Sequence, residues 1–218
     1  ELFLSLVYEE DRETVDRIYQ ASVRSGEKCY QRFRIWANQS VKWIDARGLT
    51  IYDDTGSPVR TIGSAQDVSE MVRANARIEH LAFHDGLTDL PNRRFFSKHL
   101  ESALQEVAEN QGRLAVVYID IDNFKSINDR FGHESGDELL IAFGKHLHNV
   151  KRPDEFIARI GGDEFAALIS DSDDMKIESA INRLMCNLQG QYQTSYGEFE
   201  VTLSIGVSLH PQDNGDSE

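Results

Sequence analysis

The chain has 218 residues, of which 40% are hydrophobic and 28% are charged, and this suits one large or two small globular domains. Its formal net charge of −14 at pH 7 argues against nonspecific binding to nucleic acid or anionic lipid. The apolar stretches are too short to span a bilayer, no signal peptide is recognisable, and two cysteines are too few for a disulfide framework. We therefore expect a cytoplasmic chain with no membrane segment and no nucleic-acid partner, although a longer parent protein could be tethered to a membrane.

The first part of the chain predicts a helix followed by three strands. Apolar residues at helical spacing predict the helix over residues 10–23, with Gly26 ending it. Strand-like runs follow at residues 29–37, 41–52 and 59–65, separated by turn-forming segments. One helix and three strands form a thin core, so we expect more of this domain to lie upstream.

Residues 68–84 predict a linker helix. Its apolar positions repeat at three- and four-residue spacing and are Met71, Ala74, Ile78 and Leu81. This short a/d seam suits pairing with a second copy of the chain. An amphipathic helix that lies on its own domain is the alternative, and the sequence leaves both open.

From Asp85 onwards, helix and strand signals alternate. Helices are predicted at 93–109, 139–150 and 175–189, and strands at 114–121, 156–160, 165–169, 191–196 and 199–209. This order predicts an α+β fold with a ferredoxin-like βαββαβ sheet, covered by helices on one face. Cys186 lies in the last predicted helix, on the same stripe as the apolar residues of that helix. We therefore expect its thiol to be buried in the core.

The segment Gly161-Gly162-Asp163-Glu164 lies between two of these strand-like runs and predicts a β-hairpin turn. The turn would place two adjacent carboxylates at an exposed tip. Glycine lets a ligand approach the backbone closely, and carboxylates suit a hard cation such as Mg²⁺. These residues alone are compatible with a solvated turn and with a site for a metal and a polyphosphate.

A second acidic pair, Asp120 and Asp122, ends the predicted central strand. Two carboxylates at the edge of a buried strand are costly unless they are solvated or liganded, and that edge commonly binds ligands in open α/β sheets. In the predicted topology this strand neighbours the strand that starts at Glu164. Asp120 and Asp163 could therefore share one cation.

Further along, Asn128 and Asp137 lie in a segment rich in glycine, amide and carboxylate groups that opens a helix. Both side chains could hydrogen-bond to the edge of a base, and an aspartate suits the N1–H and the exocyclic amine of guanine. Capping of a loop is the alternative for both.

Several motifs follow one another in this part of the chain. They are Asp85 to Arg94, Asp120 to Lys125, Asn128-Asp129, Gly132-His133, Gly136-Asp137, Ala158 to Phe165 and Ser204 to Val207. In this order and spacing they resemble the GGDEF domain of the diguanylate cyclases, which has a nucleotide-cyclase-like fold.

The resemblance implies a reaction. Two GTP molecules, one on each of two facing protomers, would condense to the bacterial second messenger cyclic di-GMP, with release of two pyrophosphates. The implied partners are GTP and a second copy of the chain, and the implied cofactor is Mg²⁺ or Mn²⁺.

The resemblance also assigns roles to residues. Asp120 and Asp163 would bind metal with the carbonyl of Ile121, and Glu164 would bind a second metal or help to deprotonate the attacking ribose 3′-OH. Asp163 and Glu164 are thus the implied catalytic residues. The implied substrate-binding residues are Asn123, Phe124 and Lys125 for the terminal phosphates, Asn128 and Asp137 for guanine, and Gly162 for space beside the nucleotide.

Two departures from the family pattern stand out. Members often carry an inhibitory product site, Arg-x-x-Asp, at the positions that here hold Arg152 and Glu155. The longer carboxylate puts product inhibition in doubt. The chain also stops before the family's last helix, which supplies basic residues to the triphosphate, so we expect residues 85–218 to bind GTP weakly or to turn it over poorly.

The N-terminal part resembles the second half of a PAS domain. The matching segments are Glu9 to Arg12, Arg34-Ile35, Val41 to Ile44, Asp53 to Gly56 and Gly63 to Val68. The resemblance implies a sensory module that begins upstream, with an unknown ligand. The expected division is a partial PAS domain at 1–67, a linker helix at 68–84 and a GGDEF domain at 85–218.

Two functions from different classes follow. The first is a PAS-regulated diguanylate cyclase. The second is a GTP-binding regulatory module in a longer protein with a downstream cyclic di-GMP phosphodiesterase domain. A third, a cyclic di-GMP receptor that acts through Arg152, is weakened by Glu155.

Overall fold

The structure is a computed structural model that describes residues 2–110 and 112–211. The backbone divides into two compact units, Glu1–Glu79 and His80–Glu218. Within the described residues, no helix combines the length and the apolar character that crossing a membrane requires.

The first unit is a three-stranded antiparallel sheet with short helices. Its elements are α1 (Leu2–Leu6), a 3-10 turn (Glu9–Asp11), α2 (Arg12–Ser25), β1 (Cys29–Ala37), β2 (Ser40–Tyr52) and β3 (Pro58–Asp67), and the strand order is β1-β2-β3. A small core forms where Val7 and Val15 pack against Phe33 and Ile44. Helix α2 ends at Gly26, whose φ of 75° is left-handed, so the predicted end of this helix is confirmed.

Helix α3 (Ser69–Phe83) occupies the segment in which the sequence predicts a helix. It begins where the Ser69 hydroxyl accepts a hydrogen bond from the backbone N–H of Trp43 at 2.8 Å. Three large side chains of its apolar seam are exposed: Met71 by 46%, Ile78 by 65% and Leu81 by 61%.

The second unit contains the larger sheet. Its helices are α4 (Arg93–Asn110), α5 (Phe124–Phe131), α6 (His133–Val150) and α7 (Asp174–Leu188). Its strands are β4 (Arg113–Ile121), β5 (Phe156–Gly161), β6 (Glu164–Asp171), β7 (Gly190–Thr194), β8 (Gly197–Val201) and β9 (Leu203–His210). Four strands pair in the order β5-β6-β4-β9, all antiparallel, which confirms the predicted ferredoxin-like sheet.

Helices cover both faces of this sheet, so the expectation of one covered face was wrong. Strand β4 alternates: Ala115 and its i+2 neighbours face the core with α6 and α7, whereas Leu114 faces a second core that holds Phe96 and Val107 of α4. Helix α4 precedes the βαββαβ unit and packs on its other side. The sequence predicts the helix but carries no local signal for the face of the sheet that it covers.

Two further expectations differ from the structure. The predicted strand 199–209 is broken at Thr202, because the carbonyl of Thr202 accepts from the N–H of Asp122 and its hydroxyl donates to the Asp122 carboxylate. Strands β7 and β8 form a separate hairpin. Cys186 is exposed rather than buried, since it lies two residues after the buried Leu184 and therefore about 200° around the helix.

Candidate functional site

The acidic residues converge at one edge of the four-stranded sheet. Asp120, the penultimate residue of β4, lies directly opposite Glu164 of β6 on one side and Ser204 of β9 on the other. The predicted adjacency of the strand bearing Asp120 and the strand starting at Glu164 is therefore present. Ile121, whose side chain is buried, ends β4 beside this pair.

The turn between β5 and β6 carries the other carboxylate. Gly161 and Gly162 have φ values of 155° and 55°, and a side chain at either position would meet nothing within 4 Å. Glycine is needed at Gly162 because its backbone is left-handed, and the space beside it is open. Asp163 is half-buried and Glu164 is exposed at the tip.

The two aspartates at the end of β4 have opposite electrostatic environments. Burial raises the pKa of Asp120 above its ordinary value, and the negative charges of Asp163, Glu164 and Asp122 raise it further. Hydrogen bonds from the hydroxyls of Ser204 and Thr202, both 2.7 Å long, lower the pKa of Asp122.

This difference indicates where a cation fits. Asp122 is already stabilised by two hydroxyl donors, whereas no described side chain donates to the carboxylate of Asp120. A set of oxygen ligands with unbalanced negative charge suits a hard divalent ion. The carboxylate oxygens of Asp120, Asp163 and Glu164 do not all lie within 4.8 Å of one another, so holding one ion requires rotation of their side chains.

Beside these carboxylates, the surface forms an open depression of about 330 Å³. It is lined by Tyr118, Ile119, Asp120, Glu164, Ser204, Ile205 and Gly206. Room for a ligand therefore lies next to Asp120 and Glu164.

Arg159, for which the sequence predicts no role, holds the turn that contains Gly161 and Gly162. Its Nη1 donates to Oδ1 of Asp85 at 2.7 Å, and its Nε and Nη2 donate to the carbonyl oxygen of Gly162 at 3.0 and 2.8 Å. Oδ1 of Asp85 also accepts from the N–H and the hydroxyl of Thr88. Two sequence features could have indicated this contact: an arginine shortly before the glycine pair and a distant Asp-x-x-Thr turn.

Helix α5 starts directly after this sheet edge. Asn123 precedes the helix with a left-handed φ of 58°, and Phe124 and Lys125 are its first residues. The side chain of Phe124 is buried, whereas that of Lys125 is exposed. The first N–H groups of a helix lack intrahelical partners, so this start offers donors near Asp120.

Asn128 and Asp137 lie at the corner between α5 and α6. The Oδ1 atom of Asn128 is buried and has no hydrogen-bond partner among the described residues. It packs against Gly136, where an added Cβ would lie only 2.0 Å from it, and the exposed Asp137 follows directly. A buried acceptor without a partner is costly, and a bound donor would remove that cost.

Arg152 and Glu155 do not form an open pair. The Glu155 side chain is 2% exposed, and its carboxylate accepts from the backbone N–H of Arg152 at 2.8 Å and forms an ion pair with Arg183 of α7. The Arg152 side chain is exposed. Glu155 is therefore engaged within the protein rather than presented to a ligand.

Comparison with protein families gives the fold and the site a context. A model of the family described as diguanylate cyclase, GGDEF domain, matches residues 82–218, and one described as PAS fold matches residues 1–65. The chain belongs to the GGDEF family. The PAS match covers β1, β2 and most of β3, and the GGDEF match contains Asp120, Asp163 and Glu164.

Individual relatives agree with this assignment. The chain is 38% identical over 145 residues to the bifunctional diguanylate cyclase/cyclic di-GMP phosphodiesterase MucR of Pseudomonas aeruginosa, covering 66% of this chain and 21% of MucR. It is 39% identical over 143 residues to the diguanylate cyclase TpbB of the same organism, covering 63% of this chain and 32% of TpbB.

A solved structure gives the same result. The isolated GGDEF domain of TpbB matches with a TM-score of 0.56 and 37% identity, covering 59% of this chain and 76% of that one. The chain thus spans about a fifth to a third of the length of these two curated relatives, and most of the GGDEF domain.

Proposed function

We propose that the chain is the PAS-regulated catalytic part of a diguanylate cyclase. In each of two steps, a ribose 3′-OH attacks an α-phosphate, a phosphodiester bond forms, an α–β phosphoanhydride bond breaks, and pyrophosphate and a proton leave. Two such steps convert two GTP into cyclic di-GMP. We further propose a cytoplasmic location, which suits GTP as substrate and two free cysteines.

The observation that carries this proposal is the position of Asp120 opposite Glu164, beside the turn that holds Asp163. Burial, and then the negative charges of Asp163, Glu164 and Asp122, raise the pKa of Asp120 at this sheet edge. Such a set needs a cation to approach a triphosphate. Mg²⁺, or Mn²⁺ in its place, would be held by Asp120, Asp163 and the carbonyl of Ile121, and would neutralise phosphate charge.

The chain's own residues then bind and orient the substrate. Glu164 would accept the proton of the attacking 3′-OH or hold a second ion, since it is exposed at the tip of the turn. The N–H groups around Asn123, Phe124 and Lys125 would bind the terminal phosphates.

The base and the nucleotide backbone would be recognised by three other residues. We assign guanine recognition to Asn128 and Asp137, because Asn128 has an unpaired buried oxygen at their shared corner. Gly162 would leave space for the nucleotide, since nothing lies within 4 Å of an added side chain there.

Catalysis would require two copies of the chain. The described residues of one copy provide a single set of the carboxylates Asp120, Asp163 and Glu164, whereas the product contains two GMP units. We propose that α3 brings the copies together, since the apolar seam residues Ile78 and Leu81 are exposed. The division into a PAS part at 1–67, a linker at 68–84 and a GGDEF part at 85–218 is part of this proposal.

Incubation with GTP and Mg²⁺, followed by mass spectrometry, tests the proposal. We expect cyclic di-GMP from the unaltered protein and at least a hundredfold lower rate from Asp163→Asn and Glu164→Gln, with unchanged circular dichroism. Asp154→Asn is the matched control, because Asp154 is an exposed acid just before β5. Full activity in either of the first two variants would refute the assigned roles.

A second candidate is a regulatory module that binds GTP without converting it. The similarity to MucR, which is named as bifunctional, and the small share of MucR that this chain covers favour a longer parent protein with a phosphodiesterase domain. Recovery of GTP that is bound but unchanged, with saturable binding in calorimetry, would support this candidate over the cyclase.

A further inference from the structure

Two histidines and an aspartate meet where α3 ends. His80 and His84 lie one helical turn apart, and Asp89 follows in the next turn of the chain. One possible ligand atom from each side chain lies within 4.8 Å of those of the other two. No other trio of His, Cys, Asp or Glu side chains in residues 2–110 and 112–211 meets this limit.

The side chains are already oriented towards one another. The two imidazole rings stack with centroids 4.1 Å apart and planes inclined by 14°. Nε2 of His80 lies 2.7 Å from Oδ1 of Asp89, and Nδ1 of His84 lies 3.0 Å from the backbone oxygen of Asp89. Because a carbonyl only accepts, Nδ1 of His84 carries the proton and its Nε2 keeps a free lone pair.

Fold stability gives little reason for this arrangement. The His80 and Asp89 side chains are 48% and 79% exposed, and ion pairs in that setting contribute little. Stacked imidazoles would repel one another if both were protonated. Asp89 also adopts a left-handed φ of 61°, which costs energy for a residue other than glycine.

We propose that His80, His84 and Asp89 bind a divalent transition-metal ion of the Zn²⁺ type, with water as the fourth ligand. Two imidazole nitrogens and one carboxylate oxygen are a donor set that suits Zn²⁺, Cu²⁺ or Ni²⁺. In a tetrahedral zinc site the ligand atoms lie about 3.4 Å apart, so small side-chain rotations suffice.

This site differs in chemistry from the carboxylate edge at Asp120. The Asp120 set offers only oxygen atoms, which suit Mg²⁺, whereas the histidine cluster offers nitrogen and selects a softer ion. The two sites are therefore separable by the choice of metal. Metal at the cluster would replace the hydrogen bond between Nε2 of His80 and Oδ1 of Asp89, and both atoms would become ligands.

Binding would fix the end of α3 to the turn that follows it. The backbone N–H of Asp89 donates to the carbonyl of Asp85 at 2.9 Å, so the turn is closed on itself. An ion shared by His80, His84 and Asp89 would couple the opening of this turn to the fraying of the last helical turn. Amide hydrogen exchange over residues 80–92 is thus expected to slow when the metal is bound.

The test uses the untagged 218-residue protein with millimolar Mg²⁺ present, so that the carboxylate edge is occupied. Zn²⁺ is titrated against a chromophoric chelator, and Co²⁺ is added separately to record its visible absorption. We expect one Zn²⁺ per chain and at least a tenfold loss of affinity in His80→Gln and in Asp89→Asn. His148→Ala is the matched control, because His148 is an exposed histidine elsewhere on a helix.

Each outcome decides the proposal. Loss of Zn²⁺ in the two cluster variants, retention in the control, and slower exchange over 80–92 would establish the site. Equal Zn²⁺ affinity in His80→Gln and the unaltered chain would overturn it, as would the absence of stoichiometric binding. The test omits His84→Ala, because His84 also contacts the backbone of Asp89 and its replacement can disturb the turn. Coordination by His84 is instead tested by the visible absorption of Co²⁺ bound to the unaltered chain.

Discussion

Arg159 and Asp85 form an ion pair across 74 residues of sequence, with Nη1 of Arg159 2.7 Å from Oδ1 of Asp85. The same guanidinium donates twice to the carbonyl of Gly162, and the backbone N–H of Arg159 donates to the carbonyl of Pro91 at 2.9 Å. The glycine turn of the candidate site is therefore anchored to the segment that follows α3. A planar group with several donors in fixed directions is needed to satisfy both acceptors at once.

Arg159→Lys tests this anchor. Lysine keeps the positive charge but cannot donate to Asp85 and twice to Gly162, so we expect at least a tenfold lower rate of cyclic di-GMP formation and a loss of roughly 1–3 kcal/mol in the free energy of unfolding. The rate is measured by product chromatography and the free energy by urea denaturation. Arg24→Lys is the control and should change neither quantity appreciably, because Arg24 is exposed and its Nε donates only a long hydrogen bond, 3.3 Å, to the carbonyl of Gln20.

Asp120→Asn should stabilise the protein when Mg²⁺ is removed. The raised pKa of Asp120 means that its ionised form is less favourable in the folded protein than in the unfolded chain. This cost is fully present at pH values above the folded pKa and disappears as the pH falls towards the ordinary aspartate value.

The expected result is thus a higher Tm for Asp120→Asn in chelator at pH 7, with a difference that shrinks on acidification. Added Mg²⁺ should raise the Tm of the unaltered chain and leave that of the variant nearly unchanged. Differential scanning calorimetry at several pH values measures both. A lower Tm for the variant at neutral pH without Mg²⁺ would contradict the electrostatic account.

Local patterns were sufficient to predict the hairpin and its acidic partner strand. The register that sets Asp120 opposite Glu164 was not predicted, because β4 and β6 are apolar on both faces and their apolar residues alternate little. The glycine pair predicts the position of the turn, and the order of the elements predicts that the two strands are neighbours. These elements depend on neighbours in sequence or on strong periodicity.

The sequence did not predict contacts between segments that are far apart in the chain, nor which face of the sheet a helix covers. The contact between Arg159 and Asp85 joins segments 74 residues apart, and no local pattern encodes such a distance. Periodicity can show which side of a helix is apolar, but it does not show the surface against which that side packs. It therefore did not predict the face of the sheet that α4 covers. Cys186 was predicted to be buried because it lies close in sequence to the apolar residues of its helix, but its side chain lies on a different side of that helix and is exposed.

Arg183→Ala should destabilise the second unit strongly. The Glu155 side chain is 2% exposed, so removal of Arg183 leaves a buried carboxylate without its cation. We expect a loss of roughly 2–4 kcal/mol, because Arg183 itself keeps 22% of its side chain exposed. Urea denaturation gives the value. The double variant Glu155→Leu with Arg183→Met is expected to recover much of it, and failure to do so would assign the loss to packing.

The exposed seam of α3 gives the last prediction. Ile78 and Leu81 are 65% and 61% exposed, and burial of each against a second copy would contribute about 1.5–3 kcal/mol. Replacing both with serine should therefore weaken dimerisation by at least a hundredfold, as measured by analytical ultracentrifugation. The activity per chain should fall at low protein concentration and recover as the concentration rises, because two facing sites are needed. Glu79→Ala, on the same helix, is the control. If the serine variant dimerises as well as the unaltered chain, the copies associate through another surface.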